Sequence, residues 1–530
     1  MSRLAERQES DMSNIKNITL QKREWMLPLF SCIGFMVLCH GFMLMNPSYS
    51  HDGLNEVVRD MGGYQTTLGR FLQVPWKSLF GGITATWFLG LVAATAIGFA
   101  AYFLVSVLEI KRPIPVILIC GILITNYTFI CSIATYAPWI DTYGGALLLT
   151  MLAVWLTKNR KYGLLAAVPC AAAALALYPP YIICIPALAF IWMVRSLLTD
   201  DTWKDRLSFL LRLILMLAAA YALYRIILFL VLKQGGLDYA TDENSITNIK
   251  FFGFGNLALL VKETYLSFFD WLINTMRYMP LHRLVIAAVG AVLSLAVGIE
   301  LWHKTKLFRN MLLLSVLLIL SPLVFNAQYI VCESATYHAL MVYSVFFAYI
   351  LIIAIDDICT EQKMEYKETD GLRTAKEIMK IFCQYCVPVV IAFVIFCNVR
   401  YANNVYTGKY LREKATISVM TRVMTRAEET EGYDPDSMPI VVMGSLDENP
   451  VLAISNEAYY PVLGNPRRFF SITYNYNMFL KNYMGYAMVG TSAASKEAIS
   501  DSTVFQQMPA FPEPGFAGII NGCLVVKLSE

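Results

Sequence analysis

The charged positions along this chain leave a series of apolar windows, each long enough or nearly long enough to cross a membrane. A helix needs roughly 20 largely apolar residues to cross a bilayer. Windows without Asp, Glu, Lys or Arg occur at 25–51, 78–108, 113–140, 142–157, 162–194, 284–299, 310–332, 334–355 and 381–399. This pattern predicts a polytopic α-helical membrane protein.

Two details of the pattern set the predicted number of helices. The fifth window contains Tyr178-Pro-Pro-Tyr181 near its middle, and proline ends helices because it lacks an N–H and clashes with the preceding turn. We therefore predict two spans there, joined by a tight proline turn. The stretch 207–232 contains Arg212 and Arg225 but is otherwise strongly apolar, so it is predicted to be one long span. The total is about eleven transmembrane helices.

Basic residues predict the orientation of these helices, because cytoplasmic loops are enriched in Lys and Arg. With the N-terminus inside, the short outer connections at 135–140, 178–181 and 327–336 carry no Lys or Arg. The inner connections carry Lys111, Arg112, Lys158, Arg160, Lys161, Arg195, Lys204, Arg206, Lys304, Lys306 and Arg309. The N-terminus is predicted to lie inside and the C-terminus outside.

The predicted organisation has three parts. They are a cytoplasmic tail at 1–26, a transmembrane region at 27–398 with long outer loops at 46–84 and 233–280, and an outer segment at 399–530. In the outer segment, apolar runs at Pro439–Met443 and Gly518–Leu528 are typical of strands. We predict that it forms a small extracytoplasmic α/β domain.

Composition excludes two broad classes of protein. The chain is 57% hydrophobic and only 15% charged, with a mean hydropathy of +0.53, whereas soluble chains carry about 25% charged residues. An ordinary soluble enzyme is therefore excluded. The net charge of +3 is too small and too dispersed for a nucleic-acid partner. The expected surroundings are the lipid bilayer.

The first outer loop carries the most distinctive polar motif. Asp52 follows directly after a charge-free window and lies between His51 and Gly53, so we expect it at the outer membrane surface. Residues 53–61 and 68–80 are predicted to be short amphipathic helices in the membrane plane. A simpler interpretation is that Asp52 only caps the helix that follows.

Other ionisable residues are predicted at the same face. Such groups are costly at membrane depth and are therefore candidates for a functional site, although a solvated helix end is the alternative for each. Too few oxygen ligands cluster to assign a metal site, and dependence on a divalent metal ion stays open. The candidates are Arg70, Lys77, Asp141, Arg277, Arg283, Glu333, His338 and Arg400.

These features together resemble a known family. Ser50-His-Asp-Gly53, a Gly69-Arg-Phe71 motif about seventeen residues on, two in-plane helices, about eleven spans and a small outer C-terminal domain are similar to the bacterial GtrII glucosyltransferases. That family belongs to the polytopic GT-C class, whose members use polyprenyl-phosphate sugars. The resemblance implies an enzyme of the bacterial cytoplasmic membrane that moves a hexose, with glucose as the first choice, onto a cell-surface glycan.

The resemblance also implies roles for individual residues. An acidic residue in the first outer loop of GT-C enzymes acts as general base, and Asp52 holds that position here. A leaving phosphate needs cations, which Arg70, Arg277 and Arg400 are expected to supply, while Asp141 would bind acceptor hydroxyls or a divalent ion. The remaining expected substrate-binding residues are His51, Glu333 and His338.

Three alternatives remain open from the sequence. The first is a polysaccharide or lipid transporter or flippase, and the second is a structural or assembly subunit whose outer domain binds a partner. The third is another GT-C activity, such as that of a glycan polymerase or ligase. Sugar transfer by purified protein, without a membrane gradient, distinguishes an enzyme from a transporter.

Overall fold

The computed structural model describes residues 2–49, 53–54, 63–81, 84–199, 202–240, 257–277, 279–304, 308–331, 339–363, 373–446, 475–490 and 492–529. In these residues the chain is largely helical and ends in a small sheet. In chain order the elements are α1 (Ser2–Met45), α2 (Tyr64–Thr67), α3 (Gln73–Ser78), α4 (Thr86–Leu108), α5 (Pro113–Thr125), α6 (Tyr127–Tyr136), α7 (Ile140–Asn159), α8 (Leu164–Leu177), α9 (Cys184–Leu198), α10 (Trp203–Gly235), α11 (Leu257–Leu272), α12 (His282–Lys304), α13 (Phe308–Phe325), α14 (Gln328–Val331), α15 (Phe347–Lys363), α16 (Arg373–Glu428), β1 (Ile440–Met443), α17 (Tyr476–Met484), α18 (Ala493–Ser500), α19 (Thr503–Gln507), β2 (Ala517–Ile520) and β3 (Cys523–Lys527).

The helices are those of a polytopic membrane protein. Among the described residues, eight segments are long and apolar enough to cross a membrane, while α8 and the apolar part of α13 are shorter. One of the eight segments, Pro113–Asn159, runs through α5, α6 and α7. Each predicted apolar window overlaps a described helix, but the number of eleven spans stays a prediction.

The predicted break in the fifth window is confirmed. Helix α8 ends at Leu177, and Tyr178 is extended with φ −156° and ψ 99°. A 3-10 turn at Pro179–Ile183 follows, before α9 begins. The residue before a proline is pushed out of the helical region, which explains why the helix ends here. The single long helix predicted over 207–232 is confirmed as α10.

The first loop is less helical than the sequence suggested. The helix expected over 68–80 is only the six residues of α3, and the four-residue α2 precedes it. Gly69 separates the two with φ +86°, a left-handed conformation that ends a helix. The expectation of a helix starting at residue 68 is therefore wrong. Most of the other expected helix, residues 55–61, lies outside the described residues.

Small residues allow the helices to pack closely. A Cβ atom on Gly144 of α7 would lie 2.9 Å from the Cα atom of Ala93 in α4. A Cβ atom on Gly98 of α4 would lie 2.8 Å from the Cα atom of Leu29 in α1. Contacts this short leave no room for a side chain, so the backbones touch, as in many membrane bundles.

The helix ends define two faces, which are named here by their connections. The first-loop face is the end that holds the connecting residues 63–81, 84–85, 137–139 and 178–183. The opposite face is the end that holds the connecting residues 109–112 and 160–163.

Ion pairs join several helices at the opposite face. Arg195 of α9 lies 3.1 Å from the Asp357 carboxylate of α15, and Arg112 lies 3.7 Å from the same carboxylate. Lys158 Nζ lies 2.7 Å from Glu109 Oε1. These basic residues all belong to connections that the sequence predicts to be inner, so the structure gathers them at one end of the bundle.

Helix α16 runs without interruption from the membrane bundle to Glu428, and eleven residues separate it from the first strand of the sheet. Its 56 residues make it about 84 Å long at 1.5 Å per residue, whereas a bilayer core is about 30 Å thick. Much of the helix must therefore extend beyond the bilayer. It passes through residue 399, where the sequence predicted a separate outer segment to begin.

Both apolar runs predicted to be strands do form strands. The central strand β3 pairs in parallel with β1 and antiparallel with β2. Alternate residues face two cores: Ile440 and Leu524 belong to the main core shared with the membrane helices, whereas Val441 and Val525 pack with Ile499 on the other face. That this region is an extracytoplasmic domain remains a prediction.

Candidate active site

The described part of the first loop is fastened to two helices, to the end of α8 and to the side of α10. Leu72 N donates to Ala176 O at 3.2 Å, and Gln73 Nε2 donates to Leu177 O at 2.7 Å, both at the end of α8. The Tyr224 hydroxyl of α10 donates to Gly69 O at 2.9 Å. The left-handed turn at Gly69 therefore sits at a fixed point of the first-loop face and sets the position of the next residue.

That next residue is Arg70, one of the predicted site residues. Its guanidinium carbon lies 5.2 Å from the centroid of the Tyr178 ring, a distance typical of a cation–π contact. Its Nη1 donates to Gln65 Oε1 at 3.3 Å. The side chain is half-buried, so the charge is held against an aromatic ring without being withdrawn from the surface.

Tyr178 belongs to a group of four buried tyrosines, which we call the tyrosine cluster: Tyr143, Tyr178, Tyr181 and Tyr343. The ring centroids of Tyr143 and Tyr178 are 4.7 Å apart, and those of Tyr181 and Tyr343 are 4.8 Å apart. These residues come from α7, the proline turn and the connection before α15. The sequence motif Tyr178-Pro-Pro-Tyr181 thus supplies half of an aromatic surface beside Arg70.

Three buried polar atoms beside the tyrosine cluster make no hydrogen bond in the described structure: Gln73 Oε1, Trp76 Nε1 and the Tyr181 hydroxyl. Gly145 makes room for the Trp76 ring, since a Cβ atom there would lie 2.8 Å from Trp76 Cζ2. An unsatisfied buried polar group costs about 1–3 kcal/mol, and native proteins keep few of them. Unmet donors and acceptors next to aromatic rings suit a ligand that carries both hydroxyl groups and a hydrophobic ring face.

Asp141 and Lys77 lie at the same face and are fully buried. Asp141 is in the first turn of α7, where the helix dipole favours an anion, and it is 0% exposed. Lys77 is also 0% exposed, and its Nζ lies 3.2 Å from the centroid of the Trp139 ring. Tyr143 lies within electrostatic range of both Arg70 and Asp141. The structure therefore places Arg70 and Asp141, which are far apart in the sequence, around the same tyrosine.

A comparison with known families decides the identity. The model of the family described as Glucosyl transferase GtrII matches residues 41–355, more than half of the chain. This chain belongs to the GtrII glucosyltransferase family. The matched region contains the first loop, Arg70, Asp141 and the tyrosine cluster, and it ends within α15. No curated protein and no solved structure matches the chain significantly.

Two other predicted site residues of this GtrII protein lie in different surroundings. Arg277 follows α11; its side chain is 40% exposed and pairs with the carboxylate of Asp270. Arg400 is half-buried within α16. Nearby, Thr275 Oγ1 bonds Asn398 Oδ1, so both arginines lie close to the contact between the segment after α11 and α16.

Arg283 is exposed in the first turn of α12. The other predicted site residues lie outside the described residues: His51, Asp52, Glu333 and His338. In this GtrII protein, the described residues that flank His51 and Asp52 in the sequence make several packing and hydrogen-bond contacts. Tyr49 N donates to the Tyr483 hydroxyl at 3.1 Å, and Asn482 Nδ2 donates to Leu54 O at 3.4 Å. A Cβ atom on Gly53 would lie 2.8 Å from Thr135 O. These flanking residues thus pack between the end of α6 and α17.

The sequence did not point to two buried charges on α16. Lys409 is 1% exposed and Glu413 is 3% exposed. The sequence places both residues in the predicted outer segment, where charged residues are common and do not suggest burial. Lys409 and Glu413 are spaced one helical turn apart among aliphatic and aromatic residues of the same helix. That spacing is the feature of the sequence that could have indicated a buried pair of charges.

Among the residues that the structure describes, no group of three or more His, Cys, Asp and Glu side chains is arranged to hold a metal ion. Asp141 is a buried carboxylate at the first-loop face, but a single carboxylate does not make a metal site.

Proposed function

We propose that this GtrII protein transfers glucose from a polyprenyl-phosphate donor to a cell-surface glycan, on the outer face of the bacterial cytoplasmic membrane. The family match over residues 41–355 carries the proposal, because it covers the helices and loops that build the first-loop face. Glucosyl transfer is the activity of that family; the lipid-linked donor, the glycan acceptor and the outer face are our extension of it.

The tyrosine cluster supports a sugar at this face. Tyrosine rings stack on the hydrophobic face of a pyranose, while their hydroxyls form hydrogen bonds. The unpaired Gln73 Oε1 and Trp76 Nε1 provide an acceptor and a donor for sugar hydroxyls. Binding glucose here would therefore satisfy buried groups that are otherwise unpaired.

Arg70 is the best candidate to bind the phosphate of the donor. A guanidinium has five N–H donors and matches a phosphate with two parallel hydrogen bonds. Gln65 accepts a hydrogen bond from one of these N–H groups, and the Tyr178 ring makes a cation–π contact with the guanidinium. Stabilising the charge that develops on the leaving phosphate is usually the largest catalytic contribution.

The proposed chemistry is a direct substitution at the anomeric carbon. The Asp52 carboxylate accepts the proton of an acceptor hydroxyl, whose oxygen forms a bond to C1 of glucose. The bond from C1 to the phosphate oxygen breaks, and polyprenyl phosphate leaves with the electron pair. Asp141 would bind acceptor hydroxyls or a divalent ion, and the other proposed substrate-binding residues are His51, Arg277, Glu333, His338 and Arg400.

The test uses purified protein in detergent, a polyprenyl-phosphate donor with labelled glucose, and surface glycan from cells that lack the protein. We expect label transfer without any membrane gradient. Replacing Asp52→Asn should lower kcat by about 10²-fold or more, the usual contribution of a general base. The control Asp60→Asn removes a carboxylate from the same loop and should retain activity.

Two results would contradict the proposal. Full transfer by a properly inserted Asp52→Asn variant would exclude the proton-accepting role. Movement of lipid-linked sugar across vesicle membranes by the wild-type protein, without transfer in detergent, would favour a flippase instead.

A further inference from the structure

Two opposite charges are buried one helical turn apart in α16, and nothing in the proposed chemistry uses them. Lys409 and Glu413 are 1% and 3% exposed. Withdrawing an ammonium and a carboxylate from water is costly unless each finds a compensating partner. Buried ionisable groups with unusual surroundings are therefore candidates for function.

The two charges do not neutralise each other by direct contact. In the described structure, no ion pair within 4.0 Å joins Lys409 and Glu413; the Glu413 carboxylate has only Lys414 Nζ, at 3.9 Å. Lys409 Nζ instead donates to the carbonyl of Ala134 at the end of α6. A buried ammonium and a buried carboxylate thus lie close together and are left unpaired with each other.

Glu413 also leaves hydrogen-bonding capacity unused. The Ser48 side chain hydrogen-bonds the carboxylate, while in the described part of the chain Glu413 Oε2 is buried without a hydrogen-bond partner of its own. The Lys409 ammonium has three N–H donors, and Ala134 accepts one of them. A small region therefore holds an unused carboxylate oxygen and unused ammonium donors beside the Ser48 hydroxyl.

Two tyrosines complete the surroundings. Burial raises the pKa of Tyr49 to about 12, and the negative charge of Glu413 acts in the same direction. Burial likewise raises the pKa of Tyr483, again with a contribution from Glu413. Both hydroxyls therefore keep their protons at neutral pH.

This group lies beside described residues that flank the proposed base in the sequence. Ser48 and Tyr49 precede Asp52 by four and three residues. Gly53 follows it and touches Thr135 O, next to the carbonyl that accepts from Lys409. The residues on both sides of Asp52 therefore pack at the end of α6 where Lys409 is bound.

We infer that Ser48, Lys409 and Glu413 form a binding site for hydroxyl groups of the acceptor sugar, beside the proposed base. This inference rests on the proposed function. The chemistry favours a neutral polyhydroxylated ligand, because the carboxylate disfavours an anion and the ammonium disfavours a cation. Sugar hydroxyls donate to Glu413 and accept from Lys409, which joins the two charges through the ligand. The donor phosphate instead suits Arg70, in a different part of the first-loop face.

The test compares Glu413→Gln, Lys409→Met and Ser48→Ala in the purified protein. The probe is the oligosaccharide released by mild acid from the surface glycan of cells lacking the protein. We expect the KM for this acceptor to rise about tenfold or more for Glu413→Gln, the loss expected for a hydrogen bond to a charged group. The KM for the donor should change less than about twofold, because only acceptor contacts are removed.

Matched controls separate a binding role from a structural one. Arg422→Gln within α16 and Glu429→Gln just after it remove exposed charges and should leave both KM values unchanged. If Glu413→Gln prevents folding, Ser48→Ala removes one hydroxyl without changing the charge, and we expect it to raise the acceptor KM by several-fold with the donor KM unaltered.

The outcomes distinguish the two proposals. An unchanged acceptor KM for both Glu413→Gln and Ser48→Ala, in a wild-type protein that transfers glucose, would overturn this inference alone. A large loss of kcat with no change in acceptor KM would overturn it too, in favour of a role for Glu413 in proton transfer. If the wild-type protein transfers no glucose, the proposed function fails, and direct binding of the oligosaccharide still tests the site: binding weakened about tenfold by Glu413→Gln supports it, and equal binding refutes it.

Discussion

At the scale of single residues, Arg70 shows how the surroundings of a charge give it a role. Gly69 turns the chain with φ +86°, and the Arg70 guanidinium rests on Tyr178. Stacking on an aromatic ring holds a planar guanidinium in one orientation, which a flexible ammonium does not reproduce. The orientation, and not only the charge, is what a phosphate of fixed geometry requires.

We expect Arg70 substitutions to separate charge from orientation. Arg70→Lys keeps the charge and should lower kcat/KM about tenfold when the donor is varied, because the stacked, forked geometry is lost. Arg70→Gln removes the charge and should lower it by about 10²-fold or more. Steady-state kinetics with the lipid-linked donor measure both.

The control is Arg160→Gln at the opposite face. Arg160 also stacks on an aromatic ring, with its guanidinium carbon 5.1 Å from the centroid of the Trp155 ring, so the same kind of contact is removed far from the site. Equal losses for Arg160→Gln and Arg70→Gln would show that stacked arginines matter only for folding.

At the scale of elements, one buried histidine holds three helices together. His40 Nε2 lies 2.9 Å from Ile124 O in α5, and its Nδ1 lies 2.7 Å from the Tyr406 hydroxyl of α16. Because a carbonyl only accepts, Nε2 carries the proton and Nδ1 accepts from Tyr406. This chain of hydrogen bonds fixes α16, which carries Lys409 and Glu413, against α1 and α5.

We expect Tyr406→Phe to destabilise this junction. The substitution leaves His40 Nδ1 buried without a donor, a cost of about 1–3 kcal/mol. Chemical unfolding in mild detergent should show the loss. Tyr410→Phe is the control: it lies one turn further along α16, where Tyr410 packs edge-on against Phe42, and should have little effect. Equal stability of the two variants would mean that the His40 contact contributes nothing.

At the scale of the whole molecule, the two faces differ in chemistry. The first-loop face gathers buried aromatic and polar side chains, whereas the opposite face gathers Arg112, Arg195 and Lys158 with their acidic partners. Basic residues concentrate on the cytoplasmic side of membrane proteins. The asymmetry therefore supports the predicted orientation, with the first-loop face outside.

Cysteine labelling checks this orientation. In a variant without reactive native cysteines, Asp60→Cys and Pro450→Cys should react with a membrane-impermeant maleimide added to intact cells. Tyr162→Cys, at a 72% exposed position of the opposite face, should react only after the membrane is opened. Labelling of Tyr162→Cys in intact cells would reverse the topology and remove the proposed outer site.

The sequence by itself determined the helical architecture and the family. The apolar windows, the break before Pro179 and the strands at Ile440–Met443 and Cys523–Lys527 follow from local hydropathy, periodicity and proline chemistry, which short stretches of chain express on their own. Sidedness and residue type also selected Arg70 and Asp141 as candidates. The extent of α3 was not predictable to the residue, because the conformation of Gly69 depends on where the loop is fastened.

Only the tertiary structure decided which side chains meet. Tyr178 supports Arg70 across 108 positions of the chain, and Lys409 reaches Ala134 across 275. Such contacts depend on how whole helices pack, which no local pattern specifies. The charges of Lys409 and Glu413 are unremarkable in the sequence because their burial arises from the packing of α16 against α6 and the first loop. The same charge is therefore ordinary on an exposed helix and chemically significant in this enclosed position.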